Sequence, residues 1–171
     1  TEIRNNENNT ALHVAIKNDC VEAAEILAAV NSDIFAIDAH GKTALELGIE
    51  KGQAFFPAII TTRTGELRDT NGQSIIHYFV KAINAEAIDY ALQKQIPIDI
   101  ADKNGVTPLA QALNNDKNNE SINIAVKLLL AGATPTNGKY SYFEKAIIAR
   151  NPSLRFEDGQ TPLHLSSIQN H

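Results

Sequence analysis

The segment Asp102-Lys-Asn-Gly-Val-Thr-Pro-Leu109 combines a tight turn with the start of a helix. Asn104-Gly105 supplies residues that tolerate a positive φ angle. The Thr107 hydroxyl suits the free N–H groups of a helix start, and Pro108 suits the first helical position, where no N–H is needed. Leu109 then begins an apolar face. The segment therefore predicts a turn that leads directly into a helix.

Variants of this segment recur along the chain. The corresponding hydroxyl residue is Thr10, Thr43, Ser74, Thr107 and Thr161, with successive spacings of 33, 31, 33 and 54 residues. A period near 33 residues, with a turn and two helices in each unit, is typical of ankyrin repeats. The chain resembles an ankyrin-repeat protein over nearly its whole length. This resemblance implies an all-α ankyrin-repeat solenoid of helix-turn-helix layers with short β-hairpin-type turns.

On this interpretation residues 1–171 form a single ankyrin-repeat domain. We expect complete repeats at 5–37, 38–68, 69–101 and 102–136, a degenerate unit at 137–156 and a partial repeat at 157–171. The sequence contains no Met and stops eight residues after Leu163, inside a predicted helix. We therefore expect it to be a segment of a longer chain.

Each repeat should contain a first helix, helix A, and a second helix, helix B. The pattern predicts helix A at 11–18, 43–51 and 75–81 and from Pro108 onward, and helix B at 21–30, 85–95 and 122–131. Pro57 falls inside helix B of repeat two, where a mid-helix proline costs about 3 kcal/mol. We therefore expect a short helix that starts near Pro57, together with local distortion. The polar residues 114–121 predict a surface loop.

Two other folds explain the pattern less well. Tetratricopeptide repeats have a period of about 34 residues, but they lack an Asn-Gly turn before each helix pair. A generic helical bundle would not place the pattern Asp-x-x-Gly-x-Thr/Ser-x-Leu/Ile at Asp38, Asp69 and Asp102.

Composition narrows the classes of function. Lys and Arg number 15 against 20 acidic residues, without a basic stripe, which argues against a nucleic-acid partner. No apolar run reaches the roughly 18–20 residues of a membrane helix, so we expect no membrane insertion. A single cysteine, Cys20, excludes an internal disulfide and is compatible with a reducing compartment. The cytoplasm, or a host cytoplasm after secretion, fits these features.

The candidate catalytic residues have structural interpretations. His13, His77 and His164 each follow a hydroxyl residue by three positions, and their separations of 64 and 87 residues are too large for a shared zinc ion. The resemblance implies that these histidines hydrogen-bond within and between repeats. Asp and Glu near Cys20 disfavour a thiolate. We therefore expect no catalytic residue, no metal site and no cofactor.

The acidic residues Asp38, Asp69 and Asp102 each begin a hairpin turn. At such a position the side chain caps its own backbone, so their recurrence needs no paired-carboxylate chemistry.

The resemblance implies a protein–protein interaction scaffold that is not an enzyme and that binds a protein partner through its concave face and hairpin tips. The partner-binding positions carried over from the family are Ala39, His40, Lys42, Glu50, Lys51, Thr70, Asn71, Gln73, Lys81, Ala82, Lys103, Asn104, Val106, Asn114 and Asn115. The alternative is the substrate-recognition region of a larger enzyme, such as a secreted bacterial effector, whose catalytic domain lies outside this segment.

Overall fold

The computed structural model describes residues 3–30, 32–114 and 119–134. Its helices are α1 (Ala11–Lys17), α2 (Val21–Ala29), α3 (Ala44–Lys51), α4 (Phe56–Ile59), α5 (Thr62–Glu66), α6 (Ile75–Lys81), α7 (Ala85–Gln93), α8 (Pro108–Asn114) and α9 (Asn119–Leu130). A 3₁₀ turn at Gln53–Phe55 leads into α4. In these residues extended structure is limited to isolated bridges, Arg4 with Thr10 and Ile37 with Thr43, at the bases of two hairpin turns.

The helices form stacked pairs. We name the pairs repeat one (α1, α2), repeat two (α3 to α5), repeat three (α6, α7) and repeat four (α8, α9). The first helices α1, α3, α6 and α8 contact one another in that order, and α2 packs on α4 as α7 packs on α9. Each layer therefore packs chiefly on its neighbours, and the predicted all-α solenoid is confirmed.

A hydroxyl residue immediately precedes each of these first helices. Thr43 accepts a hydrogen bond from the N–H of Glu46, whose carboxylate in turn accepts from the N–H of Thr43 at 2.9 Å. Thr107 accepts from the N–H of Ala110 at 3.2 Å. Such a cap contributes about 1 kcal/mol, because it satisfies N–H groups that have no partner within the helix.

The core is a continuous apolar layer that runs along the stack. Its fully buried members come from every described repeat and include Leu12, Ile16, Leu45, Ile59, Ile76, Phe79, Ile88, Leu109 and Leu128. Buried alanines such as Ala24, Ala91 and Ala125 lie between the larger side chains. Small residues at these positions let neighbouring helices approach closely.

Repeat two is distorted as predicted. Its second helix is the single turn α4, which has Phe56 and Pro57 at its first positions. The helix thus begins at Phe56, one residue before Pro57, near which we expected it to start. Thr61 and Thr64 cap each other and begin α5, a short helix that the sequence pattern did not predict. Phe55 and Ile60 on either side of α4 are buried, so the irregular segment still contributes to the core.

The predicted end of α7 and both ends of the predicted loop at 114–121 were wrong. Helix α7 ends at Gln93 because Gln95 adopts a left-handed conformation with φ 55°. The predicted loop at 114–121 is shorter than expected, because Asn114 ends α8 and α9 already begins at Asn119. Helix α9 ends at Leu130, one residue before the predicted end at 131, and Gly132 follows it with a φ of 89°.

Residues 115–118 and the predicted units at 137–156 and 157–171 lie outside the described residues. None of the helices that the structure does describe has the length and apolar character needed to cross a lipid bilayer.

Candidate functional site: the row of hairpin tips

The turns that precede the first helices share one hydrogen-bond pattern. Asp38 Oδ1 accepts from the N–H of His40 at 2.8 Å and from that of Lys42 at 3.0 Å. Asp69 and Asp102 cap their own turns in the same way. The predicted capping role of these acids is confirmed, and each turn has a fixed backbone.

A left-handed residue completes every turn. Gly41 and Gly72 have φ angles of 77° and 80°, which residues with a Cβ adopt only at an energetic cost. The turn of repeat one achieves the same conformation without glycine, because Asn8 has a φ of 59°. Asn5 there takes the place of the aspartate and accepts from the N–H of Glu7 at 3.0 Å.

This first tip, residues 5–9, was missing from the predicted binding positions. The sequence could have indicated it, because Asn8 stands at the position that glycine occupies in the other turns, and Asn tolerates the left-handed region better than most residues. We call the four turns, residues 5–9, 38–42, 69–73 and 102–106, the tip row.

Most predicted partner-binding residues are exposed in the structure. The exposed ones are Ala39, His40, Lys42, Glu50, Lys51, Thr70, Asn71, Lys81, Ala82, Lys103, Asn104 and Asn114. Gln73 and Val106 are half-buried, and Asn115 lies outside the described residues.

Three lysines of the predicted set form ion pairs within the structure, so their side chains also make structural contacts. Lys42 pairs with Glu50 at 2.6 Å, and this hydrogen bond raises the pKa of Lys42. Lys51 and Lys81 instead reach back to the preceding repeat and pair with Asp19 at 2.6 Å and Glu46 at 3.4 Å. Exposed pairs of this kind contribute at most about 1 kcal/mol each, but they fix where the charges lie.

Asp38 is the one acid of the tip row with a fully enclosed side chain, only 1% exposed. Burial by itself would raise its pKa. The Lys17 ammonium at 2.9 Å and the N–H groups of Lys42 and His40 outweigh burial and lower the pKa of Asp38 to about 2. The Asp38 carboxylate is therefore negatively charged and fully occupied by contacts within the protein, so it is not available to a ligand.

The histidines are structural, as the resemblance implied. His13 is fully buried, and its Nδ1 accepts from the N–H of Thr10 at 3.2 Å. Its Nε2 must then carry the proton, and it donates to the main-chain oxygen of Lys42 at 3.2 Å. His77 makes the equivalent bonds to Ser74 and, across the next repeat boundary, to Val106. His164 lies outside the described residues.

The remaining reactive groups do not converge. Cys20 is exposed at the start of α2, and the carboxylate of neighbouring Asp19 is bound to Lys51. In the described part of the chain, no group of three or more His, Cys, Asp or Glu side chains is arranged to hold a metal ion. The geometry instead presents a row of polar, mixed-charge side chains on hydrogen-bonded turns, which suits contact with a protein surface.

Comparison with known proteins agrees with this architecture. A family model described as "Ankyrin repeats (many copies)" matches residues 1–47. The B-cell lymphoma 3 protein homolog of Mus musculus is 29% identical over 147 residues, which cover 82% of this chain and 32% of that protein. The Homo sapiens B-cell lymphoma 3 protein is 27% identical over 122 residues, which cover 67% of this chain and 27% of that protein. The chain thus spans about a third or less of the length of these curated relatives.

Solved structures share the fold. The ankyrin repeat domain of Bcl-3 matches with a TM-score of 0.59 at 23% identity, covering 95% of this chain and 79% of that one. An ankyrin repeat domain from Acinetobacter baumannii matches with a TM-score of 0.57 at 18% identity, covering 98% and 79%. Together with the recurring turn and the stacked helix pairs, these matches show that the chain has the ankyrin-repeat fold, and its first 47 residues match the ankyrin-repeat family model.

Proposed function

We propose that this chain is a protein-binding scaffold whose partner lies across the tips of repeats two to four and the adjoining exposed side of the first helices, the concave face. Ankyrin repeats are protein-interaction modules, and the similarity to B-cell lymphoma 3 proteins is compatible with such a role. The observation that carries the proposal is the repetition of one exposed turn, with one backbone geometry, along one edge of the stack.

The physical advantage of this edge is preorganisation. The backbone of each tip is held by the aspartate and the left-handed glycine, so a partner would not have to order it on binding. His40, Asn71 and Lys103 are exposed, and within the described part of the chain their side chains make no hydrogen bond or ion pair. These three side chains are therefore free to serve the partner.

We further propose that this segment is one domain without catalysis of its own, in a reducing compartment such as the cytoplasm or a host cytoplasm. A catalytic domain elsewhere in a longer chain would make the same tip row a substrate-recognition surface. In both cases the partner or substrate protein would bind the same face of the solenoid.

The test is recovery of a native partner by the 171-residue chain, followed by affinity measurement with variants. The tip set is His40→Ala, Asn71→Ala and Lys103→Glu, which breaks none of the ion pairs described above. The matched control is Glu86→Lys with Gln93→Ala, two exposed residues of α7. Asp89 is excluded from the control because it pairs with Lys127 of the next repeat.

We expect the tip set to weaken binding at least about 30-fold, which corresponds to the roughly 2 kcal/mol of an interface hot spot. The control set should bind like the unaltered chain. Loss of the partner with the α7 set, and not with the tip set, would place the interface on the opposite face.

A further inference from the structure

The junctions between successive repeats are not equivalent. At the boundary of repeats one and two, the His13 side chain bonds to the Lys42 oxygen, and the N–H of Ala39 donates to the oxygen of Glu7 at 3.0 Å. One bond thus joins a first helix to the next turn, and the other joins two neighbouring tips.

The boundary of repeats three and four repeats both bonds. His77 Nε2 donates to the Val106 oxygen at 3.0 Å, and the N–H of Lys103 donates to the oxygen of Asn71 at 2.9 Å. The tips also approach closely here, because a Cβ added at Gly72 would lie 3.1 Å from the Lys103 nitrogen.

The boundary of repeats two and three has neither bond, although every residue concerned is among those described. Glu46 occupies the position of the two histidines, and its carboxylate accepts from Thr43 and Lys81 rather than reaching the turn of repeat three. The N–H of Thr70, which corresponds to those of Ala39 and Lys103, makes no bond to the tip of repeat two.

Two further observations mark the same boundary. A Cβ added at Gly41 would meet no atom within 4 Å, in contrast to Gly72 in the next tip. Helices α3 and α6 also contact each other less extensively than α1 and α3 or α6 and α8, and α5 of repeat two contacts α6 only to the same small extent.

We propose that the solenoid consists of two blocks, repeats one–two and repeats three–four, that bend relative to each other at the boundary of repeats two and three. The apolar layer is continuous across this boundary, and the Phe56 and Tyr90 rings contact each other at 5.8 Å between centroids. This contact lies on the side of the second helices and serves as the pivot. On the side of the tips the two blocks move apart and together. The exposed ion pair between Lys81 and Glu46 connects them there, and such a pair is weak enough to tolerate a change in distance.

Glu46 is the residue that makes the boundary weak. A histidine at this position would retain the capping interaction with Thr43, as His13 does with Thr10, and would place Nε2 toward the main-chain oxygen of Gln73. A glutamate in place of His13 would do the reverse. The exchange of these two residues therefore tests the proposal in both directions.

The experiment measures distances between spin labels in the full 171-residue chain by pulsed electron paramagnetic resonance. One pair uses the native exposed Cys20 with His40→Cys and crosses the first boundary. The other pair uses Gln53→Cys with Asn71→Cys in a Cys20→Ser background and crosses the second boundary at the homologous positions. All four label sites are exposed.

We expect a broader distance distribution for the second pair than for the first. Glu46→His should narrow the second distribution to the width of the first, and His13→Glu should broaden the first. Circular dichroism and an unfolding curve establish that each variant is folded. If Glu46→His does not fold, the width of the first distance distribution in His13→Glu tests the proposal by itself.

Equal widths for the two pairs in the unaltered chain would overturn the proposal. A folded Glu46→His variant with an unchanged second distribution would overturn it as well, and so would a folded His13→Glu variant with an unchanged first distribution.

Discussion

His77 joins two repeats through a single side chain: its Nδ1 accepts from the N–H of Ser74 at 3.1 Å, and its Nε2 donates to the main-chain oxygen of Val106 at 3.0 Å. The bond accepted by Nδ1 requires the neutral ring, because a protonated Nδ1 would face the N–H donor of Ser74, whereas Nε2 can donate to Val106 in either protonation state. The same residue therefore starts helix α6, fixes the turn of repeat four and makes that junction sensitive to pH.

The first prediction concerns this sensitivity. Burial lowers the pKa of His77 below its ordinary value of 6.5 and outweighs the bond to Val106, which raises it. The unfolded chain then binds the proton more readily, so the free energy of unfolding should fall as the pH drops below about 6.5. The loss should stop once the pH is below the pKa of the folded state.

Urea unfolding between pH 5 and 7.5 measures this slope. His77→Gln, which can still cap the helix, should be less stable by about 1–3 kcal/mol at pH 7 because the bonds to the ring are lost. It should also show a smaller dependence on pH. A slope identical to that of the unaltered chain would rule out His77 as its source.

The second prediction concerns the end of helix α7. Gln95 is exposed and left-handed, with a φ of 55°, at the position that Gly132 occupies after α9. The left-handed conformation costs a residue with a Cβ about 1–2 kcal/mol. Glycine adopts it without this strain but loses more backbone entropy on folding, which offsets part of the gain. Gln95→Gly should therefore raise the free energy of unfolding by about 0.5–1 kcal/mol.

The matched change Gly132→Gln should lower stability by a similar amount. Urea unfolding of the 171-residue chain and of the two variants measures both changes in stability. Destabilisation by Gln95→Gly would mean that its side chain contributes more than its backbone costs.

The third prediction concerns repeat two. Helices α4 and α5 are only four and five residues long, so few of their amides have a partner inside the helix. We expect the amides of residues 55–64 to exchange with deuterium faster than those of α6 and of residues 122–130. Equally slow exchange in all three segments would show that the buried Phe56 and Ile59 hold the irregular segment as firmly as a regular helix pair.

The fourth prediction concerns chemistry. Among the described residues Cys20 is exposed and its thiol contacts the main-chain oxygen of Asn18, not a histidine, while the rings of His13 and His77 are hydrogen-bonded to backbone groups. Cys20→Ser should leave the unfolding curve unchanged, and the isolated segment should show no turnover of generic ester, peptide or phosphoester substrates. An activity that disappears in Cys20→Ser at unchanged stability would contradict this assignment.

The sequence by itself determined the repeating unit. Gly105, Thr107 and Pro108 each favour one local conformation through φ preference, capping or a missing N–H, and the structure has the turn and α8 where these residues predict them. Local effects of this kind act over a few residues, which is why they can be predicted from the chain alone. The disruption at Pro57 was predictable for the same reason.

Tertiary structure decided what depends on neighbouring layers. The local conformational preferences of Glu46 do not indicate that a histidine at its position would hydrogen-bond to the main-chain oxygen of Gln73, which lies 27 residues later in the turn of the next repeat. The left-handed Gln95 and the ion pairs of Lys51 and Lys81 likewise follow from how one layer sits on another. Local sequence thus set each layer, whereas the strength of each junction came from contacts between residues about thirty positions apart, which only the stacked chain brings together.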